Sequence, residues 1–512
     1  MQARLLAALL VAASPSLARA ADVSFEREVL PVLTRAGCNM GACHGNLNGK
    51  GGLKLSLKGE DAAGDFAALT RDMLARRTDP IRPDESLLLQ KATARVPHEG
   101  GARFAKGDHE YALLRAWIAG GARPDAPGAP ALARLTVAPA SKVLSDPDDR
   151  FRVKAVATFA DGSTRDVTAL AAFEFTQVGV AKITADEVVR ERPGEVVLLV
   201  RYGARVEPVR VVFLPDRPAP DLRGFAANNE IDRLVSAQLK ELRLRPAKLA
   251  PDHVFLRRAY LDALGVLPAP QEALAFLSDP DAKKREKLVD ALLARPEFAE
   301  YWAQKWSDLL RNEEKALDRK GVAVFYRWIA AQLAADRPLN EFARDIIAAT
   351  GSTYAHPPAN FWRAVRDPLA RSESVAQVFL GLRIGCARCH NHPFDRWTID
   401  DYYGFGALFA RVEYRVLENN KRDALDKHEF VGEQIVWQNR DGEMPDPRTR
   451  RPAAPRLLGA ANPTAAGDRL GAVAEWVAAK DNPFFARAQV NRVWLHLMGR
   501  GLVDPNDDFR AT

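Results

Sequence analysis

Cys38-Asn-Met-Gly-Ala-Cys43-His44 and Cys386-Ala-Arg-Cys389-His390 hold all four cysteines of the chain, in two close pairs, each followed at once by a histidine. The second stretch is C-x-x-C-H, the attachment signature of c-type haem. In that chemistry two thiols form thioethers with the two vinyl groups of the porphyrin. Two intervening residues spread the sulfurs across one haem edge, and the adjacent histidine supplies the proximal nitrogen to iron. The first stretch is longer, C-x-x-x-x-C-H, a looser variant whose extra residues bulge while both sulfurs still reach the vinyls. The expected cofactors are two covalently bound haem c groups, one on Cys38, Cys43 and His44, the other on Cys386, Cys389 and His390.

Other uses of paired cysteines explain less. Disulfides suit an oxidising compartment but leave His44 and His390 without a role. A shared zinc site of four cysteines, or of two cysteines and two histidines, satisfies the ligand count, yet thiolate zinc sites are less expected after export. A thioredoxin-like dithiol needs a βαβ context that the sequence lacks. Asn48-Gly-Lys50-Gly lacks the Gly, Lys and Ser/Thr spacing of a phosphate loop.

The N-terminus agrees with covalent haem, which is attached after export. Arg4 gives a positive n-region, Leu5 to Ala13 an apolar h-region, and Ala18-Arg19-Ala20 a small-x-small cleavage site. Residues 1–20 therefore read as a signal peptide, with a mature chain starting near Ala21 outside the cytoplasm, in the periplasm or beyond. Removing Arg4 and Arg19 leaves 71 basic against 66 acidic residues, a net charge of about +5 instead of +7. No segment is long and apolar enough to span a bilayer. The run Arg448-Thr-Arg450-Arg451 sits among prolines and reads as a solvated loop. There is no basic stripe interleaved with aromatics, which argues against nucleic acid.

The fold class read from the pattern is multidomain and mainly α with one all-β module. Residues 21–128 read as a helical cytochrome c-like domain. Ser24 N-caps its first helix, Pro31 predicts a kink or restart, and Asp108 caps a last helix carrying Leu113, Leu114, Trp117 and Ile118, stopped by Gly120-Gly121. Residues 131–214 change to period-two alternation at Phe151, Val153, Ala155, Ala157 and Phe159, with a hairpin turn at Asp161-Gly162. They predict an Ig-like β-sandwich. Residues 225–415 read as a larger, helical, haem-bearing domain, with an apolar stripe at Ile231, Leu234, Val235, Leu239 and Leu242. Trp302, Trp306, Trp328 and Trp362 read as packing residues. Residues 416–470 predict loops, followed by helix to about residue 500.

The chain resembles bacterial proteins built from planctomycete-type cytochrome c domains with a bacterial Ig-like group-two domain between them. The resemblance rests on GKGGLKLSLKG at 49–59, FADGSTRDVT at 159–168, FLRRAYLDALGVLP at 255–268, RPEFAEYWAQKWSDLLRN at 295–312, PPANF at 357–361 and CARCHNHPFDRW at 386–397. NPFFARAQVNRVWLHLMGRGLVDP at 482–505 is similar to the start of the family's C-terminal domain, which normally runs well past Thr512. Residues 416–512 are thus expected to be a linker and a truncated start of that domain. The resemblance implies haem c and redox chemistry outside the cytoplasm, without a settled substrate.

The expected function is an exported diheme c-type cytochrome that passes electrons to periplasmic redox partner proteins. One alternative is a haem-dependent redox enzyme, peroxidase- or oxidase-like, with one open iron. Asp395, Asp400 and Asp401 would be its candidate proton donors, although Thr398 and Asp401 read better as a capping box. Another alternative is a binding protein for polysaccharide or a cell surface, acting through the Ig-like domain. For the first haem His98 is the expected distal ligand, giving bis-histidine iron. Met73 is its rival, and Met40 lies too near the cysteines. For the second haem His496 is the expected distal ligand, with Met498 close by. His392 is too near His390, and His356 and His428 sit in loop-like sequence.

Overall fold

In a computed structural model the described residues are 23–46, 48–218, 220–222, 227–427, 429–464 and 467–510. The expected signal peptide, with its cleavage at Ala20/Ala21, and His428 lie outside them. No helix among the described residues is long and apolar enough to cross a membrane. The molecule combines helices with several small sheets and divides into two compact units. The first comprises residues up to Ser141 with 151–189 and 198–209. The second comprises 142–150, 190–197 and the chain from Arg210 on.

The first unit begins where the Ser24 hydroxyl accepts the Arg27 amide at 3.0 Å. This cap opens a π-helical turn, Phe25–Val29. The chain continues as α1, Leu30–Arg35, so Pro31 falls in a first turn, where its missing N–H is tolerated. The predicted restart is this π-to-α junction. Then come α2, Ala62–Thr70, α3, Leu87–Ala92, and α4, His109–Ala119. Phe25 packs edge-on to Phe66 of α2 at 5.2 Å and lies 5.4 Å from Trp117 of α4. Asp108 occupies the N-cap position of α4, but its carboxylate accepts from the Ala105 amide at 2.7 Å rather than from the helix.

The β-rich segment contains β1, Leu132–Ala138, β2, Ser141–Ser145, β3, Arg150–Arg152, β4, Lys154–Phe159, and β5, Thr164–Asp166. It continues with β6, Ala172–Phe175, β7, Ala181–Thr184, β8, Glu187–Arg190, β9, Gly194–Tyr202, and β10, Arg205–Leu214. Three sheets result, ordered β1-β4-β5, β2-β10-β9-β6 and β3-β8-β7. The alternation seen in the sequence buries Val153, Ala155, Ala157 and Phe159. Gly162, at φ +83, supplies the turn from β4 to β5. Within the first unit these strands dock on the helices: the Tyr202 hydroxyl donates to the Arg27 carbonyl at 2.6 Å, and Arg35 donates to the Ala171 carbonyl at 2.6 Å.

The second unit contains α5, Glu230–Glu241, α6, Asp252–Leu264, α7, Pro270–Ser278, α8, Lys284–Leu293, and α9, Pro296–Leu309. Next are α10, Glu314–Ala334, α11, Leu339–Ile347, β11, Gly351–Ser352, α12, Asn360–Ala364, and α13, Pro368–Leu380. The last elements are α14, Ile399–Ala407, β12, Val412–Val416, β13, Gln434–Gln438, α15, Arg469–Ala478, and α16, Phe485–Met498. The core holds Trp306, Phe325, Phe342, Phe361, Trp362 and Phe405. Two sequence expectations are corrected here. Residues 416–470 are not all loop: β13 is the central strand of an antiparallel sheet ordered β11-β13-β12, with Gln434 and Val436 buried. The α5 stripe buries none of its residues, and Ile231 and Leu234 are exposed.

One carboxylate ties this unit together. Asp318, at φ +58, occupies a backbone region that L-residues rarely adopt. Its Oδ1 accepts the Gly321 amide at 2.8 Å. Its Oδ2 accepts the Gly432 amide, the Tyr354 hydroxyl and Arg363 Nη2, each at 2.9 Å. Burial alone would raise the Asp318 pKa, but these donors hold it below the ordinary 3.8. Arg363 is buried too, so Asp318→Ala should lower the unfolding free energy by about 3–5 kcal/mol at pH 7, measured by urea titration. Because the folded pKa is depressed, the stabilisation is complete above the ordinary carboxylate range and is lost as pH falls through the folded value. The gap between wild type and variant should therefore narrow only below pH 3.8.

Candidate functional site

The loop carrying Cys38, Cys43 and His44 is wound by its own backbone. Gly37, at φ +75, ends α1, and the Cys38 amide returns to the Leu33 carbonyl at 2.9 Å, a Schellman-type closure. The Cys43 amide bonds the Met40 carbonyl at 2.9 Å, and the His44 amide bonds the Cys38 carbonyl at 3.0 Å. Both thiols are half-buried and unbridged. Burial pushes the Cys38 thiol up to about 11, although the Arg103 guanidinium pulls the other way.

A second turn seats the imidazole. Lys50 and Leu53 exchange backbone hydrogen bonds of 3.1 and 3.0 Å across Gly51-Gly52, whose φ values of +58 and +74 make the tight turn. The carbonyls of Lys50 and Leu53 both face His44 Nδ1, at 3.0 and 3.1 Å. A carbonyl only accepts, so Nδ1 carries the proton and Nε2 of the neutral ring keeps its lone pair. His44 has its pKa lowered, first by burial and also by His98. The stretch around Lys50, read in the sequence as a failed phosphate loop and as part of the family resemblance, is thus the seat of His44. Its two consecutive glycines were the available signal.

His98 is held in the same manner. The Gly101 amide bonds the His98 carbonyl at 2.9 Å, and His98 Nδ1 bonds the Gly101 carbonyl at 2.8 Å. The two imidazole planes lie within 11° of parallel, with centroids 6.2 Å apart. The rings are stacked, at a separation that suits an offset aromatic pair. Both rings spend Nδ1 on backbone carbonyls, as metal-bound histidines do. Allowing ~2.0 Å for each metal–nitrogen bond and ~1.1 Å from nitrogen to ring centre, two histidines would stand about 6.2 Å apart if they held one metal from opposite sides. His44 and His98 are the residues here that could hold a metal group. Among the described residues no three His, Cys, Asp or Glu side chains are grouped to hold a metal by themselves. Met73, the rival ligand, is 56% exposed at φ +53.

The second motif lies on a short 3-10 turn, Gly385–Arg388, anchored by fully buried Ala387. Tyr403 on α14 donates to the Arg388 carbonyl at 3.2 Å. Cys386 and Cys389 are exposed and unbridged. His390 again places Nδ1 on a carbonyl, that of Asn391, at 2.8 Å. The Asn391 side chain accepts the Ile399 amide at 2.9 Å and so fixes the loop to α14. Thr398 and Asp401 form the capping box of α14, Asp400 pairs with Arg448, and Asp395 is buried. His392 is buried, with its amide on the Trp397 carbonyl at 2.7 Å.

His496 is placed elsewhere. Helix α16 does return to the helical unit, where Ala488 meets Gly381 at the end of α13. Its histidine, however, spends Nε2 on the Asp262 carbonyl at 2.8 Å and packs edge-on to Trp302 at 4.8 Å. It lines a cavity whose walls include neither His390 nor a cysteine. Met498 and His356 are exposed. The helix buries Phe485, Ala488, Gln489 and Asn491 and packs on α13, while Val490, Val493 and Leu497 are exposed, a choice of face that sequence periodicity does not give.

Residues 230–414, which contain the second motif, are similar to the PSCyt2 family model, described as a protein of unknown function (DUF1549). Residues 469–512 are similar to the PSD1 model, also described as a protein of unknown function (DUF1553). Both are planctomycete-associated domains. No curated protein matches the chain.

The nitrogen assignment has a direct readout in protein prepared without haem. With 15N-labelled histidine, His44 and His98 should both show the Nδ1–H tautomer at pH 8, and His44 should titrate below 6.5. An Nε2–H tautomer at either ring would remove the ligand-presenting arrangement.

Proposed function

We propose that the chain is an exported diheme c-type cytochrome that transfers electrons outside the cytoplasm. The observation that carries this reading is the His44–His98 pair: two near-parallel imidazoles 6.2 Å apart, both Nδ1-anchored, beside two unbridged thiols. Cys38 and Cys43 would hold the first haem by thioethers, with His44 and His98 on its iron. Cys386, Cys389 and His390 would hold the second. Haem bound in this way supplies a one-electron Fe(III)/Fe(II) couple, and two histidine ligands give it a lower potential than a histidine–methionine pair.

The protein's own contribution is to fix ring orientation. The carbonyls of Lys50, Leu53 and Gly101 hold the two rings against turning, so little reorganisation would accompany a change of charge on an iron that His44 and His98 held. The β-rich segment, read as an Ig-like sandwich, would brace the first haem domain through Tyr202 and Arg35 and offer strands to a partner protein or surface. His496, engaged on Asp262, favours one variant of this reading, in which the second iron keeps an open position and works as a redox enzyme centre fed by the first.

Protein made with c-type haem maturation should show two haem additions in denaturing mass spectrometry. Cys389→Ser should weaken attachment of the second only. His98→Ala should turn the first haem from low-spin to high-spin in its electron paramagnetic resonance spectrum. A chain without haem additions would sink the proposal, and an unchanged first-haem spectrum in His98→Ala would remove the bis-histidine assignment. A high-spin second haem in the wild type would select the enzyme variant.

A further inference from the structure

The second unit encloses a cavity of about 1070 Å³ bordered by α6, α8, α9, the end of α10 and α16. Its volume stands at the top of the range for small-molecule pockets, about 300–1,000 Å³. Phe255, Phe298, Trp302, Trp306, Leu293 and Leu333 make most of its wall. The seam between α9 and α16 is cross-braced. Trp302 meets His496 edge-on at 4.8 Å, and the Arg492 guanidinium lies 5.7 Å from the Trp306 ring centre.

Three lining residues carry a buried N–H with no acceptor: Nε1 of Trp302, Nε of Arg337 and Nε of Arg492. Buried donors are nearly always satisfied, and three orphans around one cavity mark where an acceptor is missing. The rest of each guanidinium is already engaged. Arg492 gives its two Nη groups to Gln489 Oε1 at 2.7 Å and to the Val378 carbonyl at 2.8 Å, and Arg337 Nη2 pairs with Asp345 at 2.7 Å. The Nε groups are therefore held in place instead of turning to find partners. Two of the three orphans are cationic, and Lys305 at the same wall has its ammonium 4.7 Å from the Tyr301 ring centre. Of the acidic residues at the wall, Asp262 is paired with Arg258 at 3.9 Å, Asp308 and Asp336 are exposed, and Arg337 is already matched by Asp345 and Glu341. Arg492, hydrogen-bonded to a neutral amide and a carbonyl, is thus the half-buried guanidinium that an anionic oxygen acceptor on a large apolar body would suit.

We propose that this cavity binds an apolar monocarboxylate of the fatty-acid kind. Its chain lies against the aromatic wall, and its carboxylate accepts from Trp302 Nε1 and Arg492 Nε. The proposal does not depend on haem. Calorimetric titration of the full chain with sodium dodecanoate, below its micellar concentration, should show saturable one-to-one binding. It should be at least about tenfold tighter than dodecyltrimethylammonium. Trp302→Phe keeps an aromatic ring but loses the indole N–H together with the pyrrole half, and Arg492→Met keeps much of the stem. Each should weaken dodecanoate about 5–10-fold and leave the circular dichroism spectrum unchanged. Leu293→Trp, at the half-open rim, should abolish binding. Equal affinity for the cationic probe, unchanged affinity in Trp302→Phe, or absence of saturable binding would each overturn the proposal. So would a dimer that Leu293→Trp disperses in a chain that does not bind dodecanoate, because the face would then belong to a second copy.

Discussion

An imidazole can present a lone pair from Nε2 only if Nδ1 keeps the proton, and a backbone carbonyl opposite Nδ1 enforces that choice. His44, His98 and His390 all meet this constraint, with carbonyls at 2.8 to 3.1 Å. In each case the carbonyl comes from a turn a few residues away. The preference therefore arises locally, from loop conformation, and does not wait on long-range packing. For His44 the turn depends on Gly49, where a Cβ would collide with the Leu53 carbonyl, and on positive φ at Gly51 and Gly52. Larger residues there would move the carbonyls before they touched the imidazole.

This locality explains what was legible in the sequence. The Ser24 cap, the Thr398–Asp401 box and the alternation through Val153 to Phe159 all act over a few residues, and each has the local form its pattern predicts. His98 was singled out by position alone, and the structure brings its ring to His44. What depends on remote partners was not legible. β13 lies in a polar stretch, and only pairing on both sides makes Gln434-Ile-Val-Trp-Gln a strand. The α5 stripe has helical spacing, yet its residues remain unburied. His496 sits on the expected helix, but that helix packs on α13 through Ala488 and Gln489, which leaves His496 turned to the Asp262 carbonyl.

The Asp318 hub shows how such remote information is stored. One carboxylate gathers an amide from its own helix, an amide from Gly432, a hydroxyl from Tyr354 and a guanidinium from Arg363. Arg371 works in the complementary sense. It is buried and donates to the carbonyls of Val365 and Phe409 and to the Tyr414 hydroxyl. Both residues satisfy groups that loops would otherwise leave bare inside the unit, and this allows irregular chain around residues 353–366 and 409–432 to be buried. Neither could be recognised beforehand, because an isolated Asp or Arg in sequence reads as surface.

The same satisfaction rule distinguishes structural from receptive polar groups in this molecule. His496 and Trp302 are neighbours on one wall. His496 has a carbonyl to bind, and its Nε2 is thereby taken out of chemistry. Trp302 has none, and its indole N–H remains an unmet demand in an apolar cavity. At the first cysteine motif the order is reversed: Nδ1 of His44 and of His98 is met by backbone carbonyls, and Nε2 is the acceptor that each neutral ring offers. An unmet acceptor pair calls for a cation, and an unmet donor with guanidinium charge beside it calls for an anion. The two places therefore differ in the sign of what they would take, and a metal group and a carboxylate are the respective chemistries proposed for them.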